Sequence, residues 1–168
     1  MIMKRIALIL CAVLVFSAFA ACVTPDKAKD TVSMFDLSQA MLAAFGDDSG
    51  MAYASSADSD PADKLSYVSD VEYSKVDAFF ISYAKEAKGD PSEIVVIAVK
   101  NTEDVQTASD SLRAHVDRRI QLYSTYDPEQ VPALENALIF TKAQYAVLII
   151  CDNSGAVRTA FEKFIDEH

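Results

Sequence analysis

The sequence predicts an α+β domain in which strands and helices follow one another as ββαββα, after an N-terminal signal and one helix. Two observations support this prediction. Two pairs of segments rich in branched and aromatic residues are each followed by a segment whose apolar residues recur at helical spacing. Because turns join the strands of each pair, we expect a four-stranded antiparallel or mixed sheet with its helices packed mainly on one face.

The four predicted strands are residues 76–83, 94–99, 138–141 and 145–151. Residues 94–99 are apolar without alternation, which is typical of a central strand that is buried on both faces. Gly89-Asp90-Pro91 marks a turn between the first two strands, and residues 142–144 join the last two in a hairpin.

Three helices are predicted around this sheet. Residues 33–45 form the first, which Gly46 ends. A long helix runs from Thr102 to about Tyr126, where prolines follow it. The last helix begins after a cap at Asn153 or Ser154. The long helix carries one apolar stripe, made of Val105, Ala108, Leu112, Val116, Ile120 and Tyr123.

The two strand–helix segments also suggest an internal duplication. A shift of 52 residues places Val95 on Val147, Asn101 on Asn153, Val105 on Val157, Thr107 on Thr159 and Ala108 on Ala160. Any apolar strand followed by a capped amphipathic helix would produce some of these identities, so the duplication is a hypothesis. Two helices on opposite faces of the sheet would rule it out.

Residues 1–21 are typical of a bacterial export signal, with a basic start and an uncharged run that ends in Ala20-Ala21. A cysteine directly after them predicts cleavage before Cys22 and attachment of a lipid to that side chain. Phe19 stands at a position where the signals of lipid-modified proteins usually have leucine or another aliphatic residue. Two alternatives stay open: cleavage without a lipid, and an uncleaved helix, since residues 6–23 reach the lower limit for a bilayer span. The predicted location is the outer side of the cell membrane.

The mature chain is expected to divide in two. Residues 22–65 would hold the lipid tether, the short helix and an acidic low-complexity linker, and residues 66–168 the globular domain. Small and acidic residues dominate 47–63, which is typical of a solvated linker. Asp58, Asp60 and Asp63 suggest a calcium loop, but Pro61 occupies its fourth position, no glycine occupies the sixth, and Ser69 stands where the closing glutamate belongs, so we expect no metal there.

The charge of the chain excludes one class of partner. The net charge is −10, and cleavage before Cys22 would remove Lys4 and Arg5 and no acidic residue, which gives −12. A strongly acidic protein is repelled by nucleic-acid phosphates and by anionic lipid surfaces. We therefore expect no nucleic-acid partner, and membrane attachment through the lipid alone.

The sequence offers little catalytic chemistry. His115 lies within the long helix and is interpreted as a surface or boundary residue, and His168 ends the chain. One mature cysteine outside the anchor, Cys151, and two distant histidines exclude a zinc spacing and a disulfide within the chain. Four glycines leave no phosphate-binding loop. We predict no catalytic residues, no cofactor and no metal, and interpret Cys151 as a buried, inert thiol.

The connection after the long helix is the candidate recognition surface. It places an aromatic ring, two prolines and several polar groups between apolar anchors. The alternative is a helix stop followed by a short second helix. The residues predicted to form the recognition surface are Tyr126, Glu129, Gln130 and Asn136.

This connection and the segments around it carry several short motifs. They are Glu93-Ile94-Val95-Val96, Lys100-x-x-Glu103-Asp104-Val105, Tyr126-x-Pro128-x-Gln130, Glu135-Asn136, Thr141-Lys142 and Tyr145-x-Val147-Leu148. With these motifs the chain resembles the uncharacterised bacterial lipoprotein family built on domain of unknown function 4358. The resemblance covers about Val71 to Glu167, and members often have glycine at the hairpin position of Ala143. It implies the α+β fold and a lipidated Cys22, and no mechanism.

Three functions are compatible with these observations. The first is a non-enzymatic, lipid-anchored module that binds a protein, a peptide or an envelope component. The second is a small extracytoplasmic hydrolase that uses carboxylates, which requires two acidic side chains in one pocket. The third is a structural or assembly subunit that associates through a strand edge or through Cys151.

Overall fold

A computed structural model describes residues 31–85 and 89–168. Its centre is a five-stranded sheet in the order β1-β2-β3-β5-β4, and every neighbouring pair is antiparallel. The strands are β1 (Met51–Ser55), β2 (Val76–Ala84), β3 (Glu93–Val99), β4 (Leu138–Lys142) and β5 (Tyr145–Ile150). The α+β class is confirmed, and the sheet has one more strand than predicted.

Five α-helices surround the sheet in the described residues. They are α1 (Met34–Phe45), α2 (Pro61–Ser66), α3 (Val105–Tyr126), α4 (Val131–Glu135) and α5 (Ser154–Glu167). Short 3-10 turns lie at Tyr73–Lys75, Thr102–Asp104 and Pro128–Gln130. The helices predicted at 33–45, 102–126 and after residue 153 are therefore present, and α4 follows the proline-rich stop of α3.

The helices cover both faces of the sheet, so the prediction that they pack mainly on one face is wrong. On one face α2, α3 and α4 pack on Ile81, Val95 and Leu148. On the other face α1 and α5 pack on Phe80 and Val147. The physical reason is that β3 and β5 carry apolar side chains on both sides, and both sides must be covered. Since α3 and α5 lie on opposite faces, the proposed duplication is ruled out.

The acidic segment 47–63 is part of the fold, so its interpretation as a solvated linker is wrong. Within it, β1 pairs with β2, and Ala54 lies opposite Ile81. Just after it, Leu65 in α2 is only 1% exposed. The folded part of the chain includes α1 and β1, and does not begin at residue 66. The sequence of this segment does not look like a strand, because β1 buries the small residue Ala54 at a position where strands usually carry a bulky apolar side chain.

Three connections depend on particular residues. Gly89 has a φ of 80°, and a side chain there would meet the Asp127 carboxylate. Ala143, in the two-residue turn between β4 and β5, has a φ of 50°, which favours glycine. Asn153 precedes α5, but its side chain donates to Ala44 O at 2.7 Å and Phe45 O at 3.1 Å, so it closes the end of α1.

The predicted signal, the cleavage site and Cys22 lie outside the described residues. In the part of the chain that is described, no helix has the length and apolar character needed to cross a membrane.

Candidate functional site

A cavity of about 370 Å³ opens between α2 and α3, above the ends of β1, β2 and β3. We refer to it as the α2–α3 cavity. Its lining is mainly apolar and aromatic, with charged groups from both helices and from the sheet. The lining residues are Ala54, Lys64, Tyr67, Val68, Ile81, Tyr83, Ala84, Asp90, Ser92, Glu93, His115, Arg119 and Tyr123.

Strand register and helix periodicity bring these residues together. In the sheet, Tyr83 lies directly opposite Glu93, and side chains alternate so that Glu93 points to the same face as Val95. On α3, His115, Arg119 and Tyr123 recur every four residues, which places them along one side of the helix. The strand therefore supplies a carboxylate beneath the helix that supplies two basic side chains.

A polar cluster of three side chains forms the floor of the α2–α3 cavity. Glu93 Oε2 lies 2.8 Å from His115 Nε2 and accepts a hydrogen bond from Arg119 Nη1 at 2.8 Å. The side chains of His115 and Glu93 are 10% and 6% exposed, and that of Arg119 is 18% exposed. One carboxylate oxygen thus holds two basic groups in a site that is largely shielded from water, where such contacts are strong.

The Arg119 guanidinium also lies over an aromatic ring. Its central carbon is 5.5 Å from the centre of the Tyr123 ring, within the range of a cation–π contact. Because a guanidinium has five N–H donors and Glu93 uses one, Arg119 keeps donors for other acceptors in the cavity.

The rim of the cavity is aromatic and carries one charge of each sign. Tyr67 and Tyr83 are 76% and 43% exposed. Lys64 extends from α2, and no carboxylate of the described residues forms an ion pair with it. Asp90 accepts a hydrogen bond from the Ser92 backbone N–H at 2.9 Å, so its carboxylate is bound within its own loop.

The interpretation of His115 as a surface or boundary residue is wrong, since the ring is buried against Glu93. Adjacent helical residues point in different directions, and the charged neighbours that follow His115 do not describe its surroundings. One signal was available in the sequence. Glu93 is a charged residue that opens a strand of six apolar ones, and such a residue needs a partner when the strand is central.

The structure does not gather the four predicted recognition residues into one cavity. Tyr126 is 79% exposed at the end of α3, and Glu129 is exposed in the turn that follows. Asn136 donates from its amide to Pro132 O at 2.7 Å, so it ends its own short helix. Gln130 lines a second cavity of about 400 Å³, which we refer to as the Cys151 cavity.

The Cys151 cavity lies beside the end of β5. Besides Gln130 and Cys151 it is lined by Phe45, Ala133 and Asn153, and by residues of the connection between β2 and β3. Burial raises the pKa of the Cys151 thiol, against a smaller opposing effect of its hydrogen bond with the Asn153 backbone. A raised pKa favours the protonated, less reactive thiol. The side chain is only half-buried and follows the end of β5, so the prediction that it is buried within the strand is wrong.

Metal-binding groups do not converge in residues 31–85 and 89–168, where no three histidine, cysteine, aspartate or glutamate side chains are placed to share an ion. The side chains that line the α2–α3 cavity offer hydrogen bonding, charge and apolar contact.

The family described as Domain of unknown function (DUF4358) matches residues 48–151, a stretch that contains the five described strands, the whole lining of the α2–α3 cavity and most of that of the Cys151 cavity. No curated protein and no solved structure matches the chain significantly. The match spans more than half of the sequence and begins before the segment that carried the resemblance. The chain belongs to the DUF4358 family.

Proposed function

We propose that this protein is a lipid-anchored, extracytoplasmic binding module without enzymatic activity, and that the α2–α3 cavity is its ligand site. The observation that carries the proposal is the buried cluster of Glu93, His115 and Arg119 at the floor of an open, mainly apolar cavity. An apolar cavity with a few convergent polar groups is the usual form of a small-molecule site.

The cluster is hard to explain by stability alone. Removing charged groups from water costs free energy, and well-packed apolar residues in their place are often as stabilising or more so. Protein interiors are close-packed, and a cavity forfeits contacts that a larger side chain would make. A chain that keeps both the charges and the space above them is consistent with a ligand that uses both.

Binding has more support than hydrolysis. A carboxylate hydrolase would use two acidic side chains of one pocket, and Glu93 and Asp90 do line the same cavity. Glu93, however, is bound to two basic groups, and Asp90 is bound to the backbone of its own loop. His115 contacts Glu93 through Nε2, and no hydrogen bond among the described residues joins its ring to a hydroxyl or a thiol that could serve as a nucleophile.

The proposed location rests on residues 1–22 and on the acidic charge of the chain. Mass spectrometry of the protein from a membrane fraction would test it, with a Cys22→Ser variant as the control. We expect a lipid-modified peptide that begins at Cys22. The Cys22→Ser variant should carry no lipid and should be lost from the membrane fraction. An N-terminus at Ala21, or an intact Met1, would contradict the lipid anchor.

The proposed site is tested by filling it. The protein would be incubated with an extract of its native envelope and dialysed, and retained small molecules identified after denaturation. Ala54→Phe places a ring in the α2–α3 cavity, and Ala133→Phe places the same ring in the Cys151 cavity. We expect the first variant to lose the retained molecule and the second to keep it. Equal retention by both variants would contradict the proposed site.

A further inference from the structure

We propose that the ligand of the α2–α3 cavity is a small organic carboxylate with an apolar body, bound by Lys64 and Arg119 from opposite walls. The inference rests on the proposed function, because it gives the chemical class of ligand for the same site. Nothing in the family match assigns a ligand.

The lining of the cavity differs from the rest of the chain in its balance of charge. Across the whole chain acidic residues outnumber lysines and arginines, 25 to 15. In the lining the two numbers are equal, because Lys64 and Arg119 face Asp90 and Glu93, and His115 adds a further basic side chain. The cavity therefore repels an anion less than the rest of this strongly acidic protein does.

Two basic side chains of the lining have unused hydrogen-bond donors. Arg119 gives one N–H to Glu93 and has others, and the Lys64 ammonium has no acidic partner among the described residues. A carboxylate accepts from several donors at once, and charged donor–acceptor pairs are stronger than neutral ones. Lys64 comes from α2 and Arg119 from α3, so one carboxylate bound between the two helices would accept hydrogen bonds from both side chains.

The apolar and aromatic part of the lining indicates what kind of body the ligand has. Ala54, Val68 and Ile81 form apolar lining, and the rings of Tyr67 and Tyr83 stand at the rim. The cavity of about 370 Å³ is at the lower end of the range for small-molecule sites, roughly 300–1,000 Å³. Its size and lining suit one compact molecule with a hydrocarbon or aromatic body.

A ligand with an ammonium group is less well matched to this lining. Its possible partners are the two carboxylates of the lining, but Glu93 already holds His115 and Arg119 at 2.8 Å each, and Asp90 accepts from the Ser92 backbone N–H within its own loop. Lys64 at the rim would repel it. The aromatic face of Tyr123, which could attract a cation, already lies under Arg119.

The experiment compares three probes that share one body and differ in charge: phenylbutyrate, phenylbutyramide and phenylbutylammonium. Binding to the full chain in detergent micelles would be measured by equilibrium dialysis, and contacts with Tyr67 and His115 by NMR. We expect phenylbutyrate to bind roughly tenfold more tightly than the other two, since only it completes the two charged donors.

Two matched variants locate the carboxylate. Lys64→Gln removes an ammonium that forms no ion pair among the described residues, so the fold is expected to persist. Lys163→Gln removes an exposed lysine of α5, on the opposite face of the sheet, and serves as the control. We expect the first variant to weaken phenylbutyrate binding roughly fivefold and the control to leave it unchanged.

The failures are distinguishable. If the amide or the ammonium binds in the cavity as tightly as phenylbutyrate, the ligand class is wrong and the cavity remains the site. If Lys64→Gln binds phenylbutyrate like the unmodified chain, the proposed contact is wrong. If none of the probes contacts the cavity, the carboxylate proposal is overturned, and retention of an envelope molecule by Ala133→Phe but not by Ala54→Phe then decides the proposed function separately.

Discussion

Glu93 fastens two basic side chains of α3 to the first residue of β3. Its carboxylate is almost fully buried, and so is the ring of His115. The contacts join positions 22 and 26 residues apart in the chain. Patterns in the sequence describe each element separately, so they cannot show which helix side chain meets which strand. The cluster could be suspected from Glu93 alone, and its partners follow from the fold.

Arg119 and Arg118 provide a matched pair for testing this cluster. Arg119→Met leaves Glu93 buried with one partner fewer, so we expect the free energy of unfolding to fall by about 2–4 kcal/mol. Arg118 forms an exposed pair with Asp70, and Arg118→Met should change the free energy by less than about 0.5 kcal/mol. Chemical denaturation measures both. Equal effects would show that the Arg119 contact is as weak as a surface pair.

Cys151 gives a prediction that depends on pH. Because burial raises its pKa, the thiol should react slowly with a disulfide reagent at about pH 8, compared with a free cysteine. Below the pKa of the unfolded thiol both states are protonated and the effect on stability is absent. Above it the unfolded chain ionises more readily, so the free energy of unfolding falls as the pH rises further. Cys151→Ala should remove that dependence. Rapid labelling at about pH 8 would contradict the raised pKa of this half-buried thiol.

At the scale of elements, sequence periodicity identified most of the structure. The apolar run of β3, the hairpin of β4 and β5 and the stripe of α3 have clear local signals, and all are present. β1 lacks such a signal because it is short, sits at the sheet edge and buries Ala54 rather than a bulky residue. An edge strand of this kind is defined mainly by its neighbour, and the neighbour is not visible in the local pattern.

The end of α1 depends on a residue more than a hundred positions away. The Asn153 amide donates to the carbonyls of Ala44 and Phe45, which lie at the helix end and lack helical partners. Asn153→Ala should lower the free energy of unfolding by about 1–2 kcal/mol. Hydrogen exchange should then show α1 opening more often than α3.

Asn136→Ala is the control for that prediction. Like Asn153, Asn136 is exposed and its amide donates to a carbonyl, that of Pro132, but the bond lies within its own short helix and joins no distant element. We expect a loss below about 0.5 kcal/mol. If the two variants lose equal free energy of unfolding, the Asn153 contact between distant elements stabilises the fold no more than a local hydrogen bond does.

At the scale of the whole molecule, the sheet has two apolar faces and each has its own set of helices. The sequence shows that α3 and α5 each have an apolar stripe, but both stripes look alike, and the face is chosen by the path of the connecting chain. The apolar character of β3 and β5 on both sides was the available signal for a covered second face. The α2–α3 cavity is not visible in local sequence patterns either, because its walls come from separate parts of the chain.

The domain boundary can be tested directly. A chain that begins at Ser66 lacks α1, β1 and almost all of α2, and with them Leu37, Met41, Leu42 and Leu65, all of which are buried. At about 2 kcal/mol for each large buried side chain, the loss approaches the whole stability of a typical domain, about 5–15 kcal/mol. We expect this chain to aggregate or to melt without cooperativity, whereas a chain that begins at Thr31 should melt cooperatively. Cooperative melting of the shorter chain would restore the boundary at residue 66.

The central claim is that the α2–α3 cavity is the ligand site of this protein. Heteronuclear NMR of the full chain, titrated with phenylbutyrate, tests it most directly because every region of the molecule is observed at once. The account predicts saturable shifts that are largest at Lys64, Tyr67, His115 and Arg119, with little change around Gln130 and Cys151. Saturable shifts centred on the Cys151 cavity, or none at the α2–α3 cavity, would contradict it.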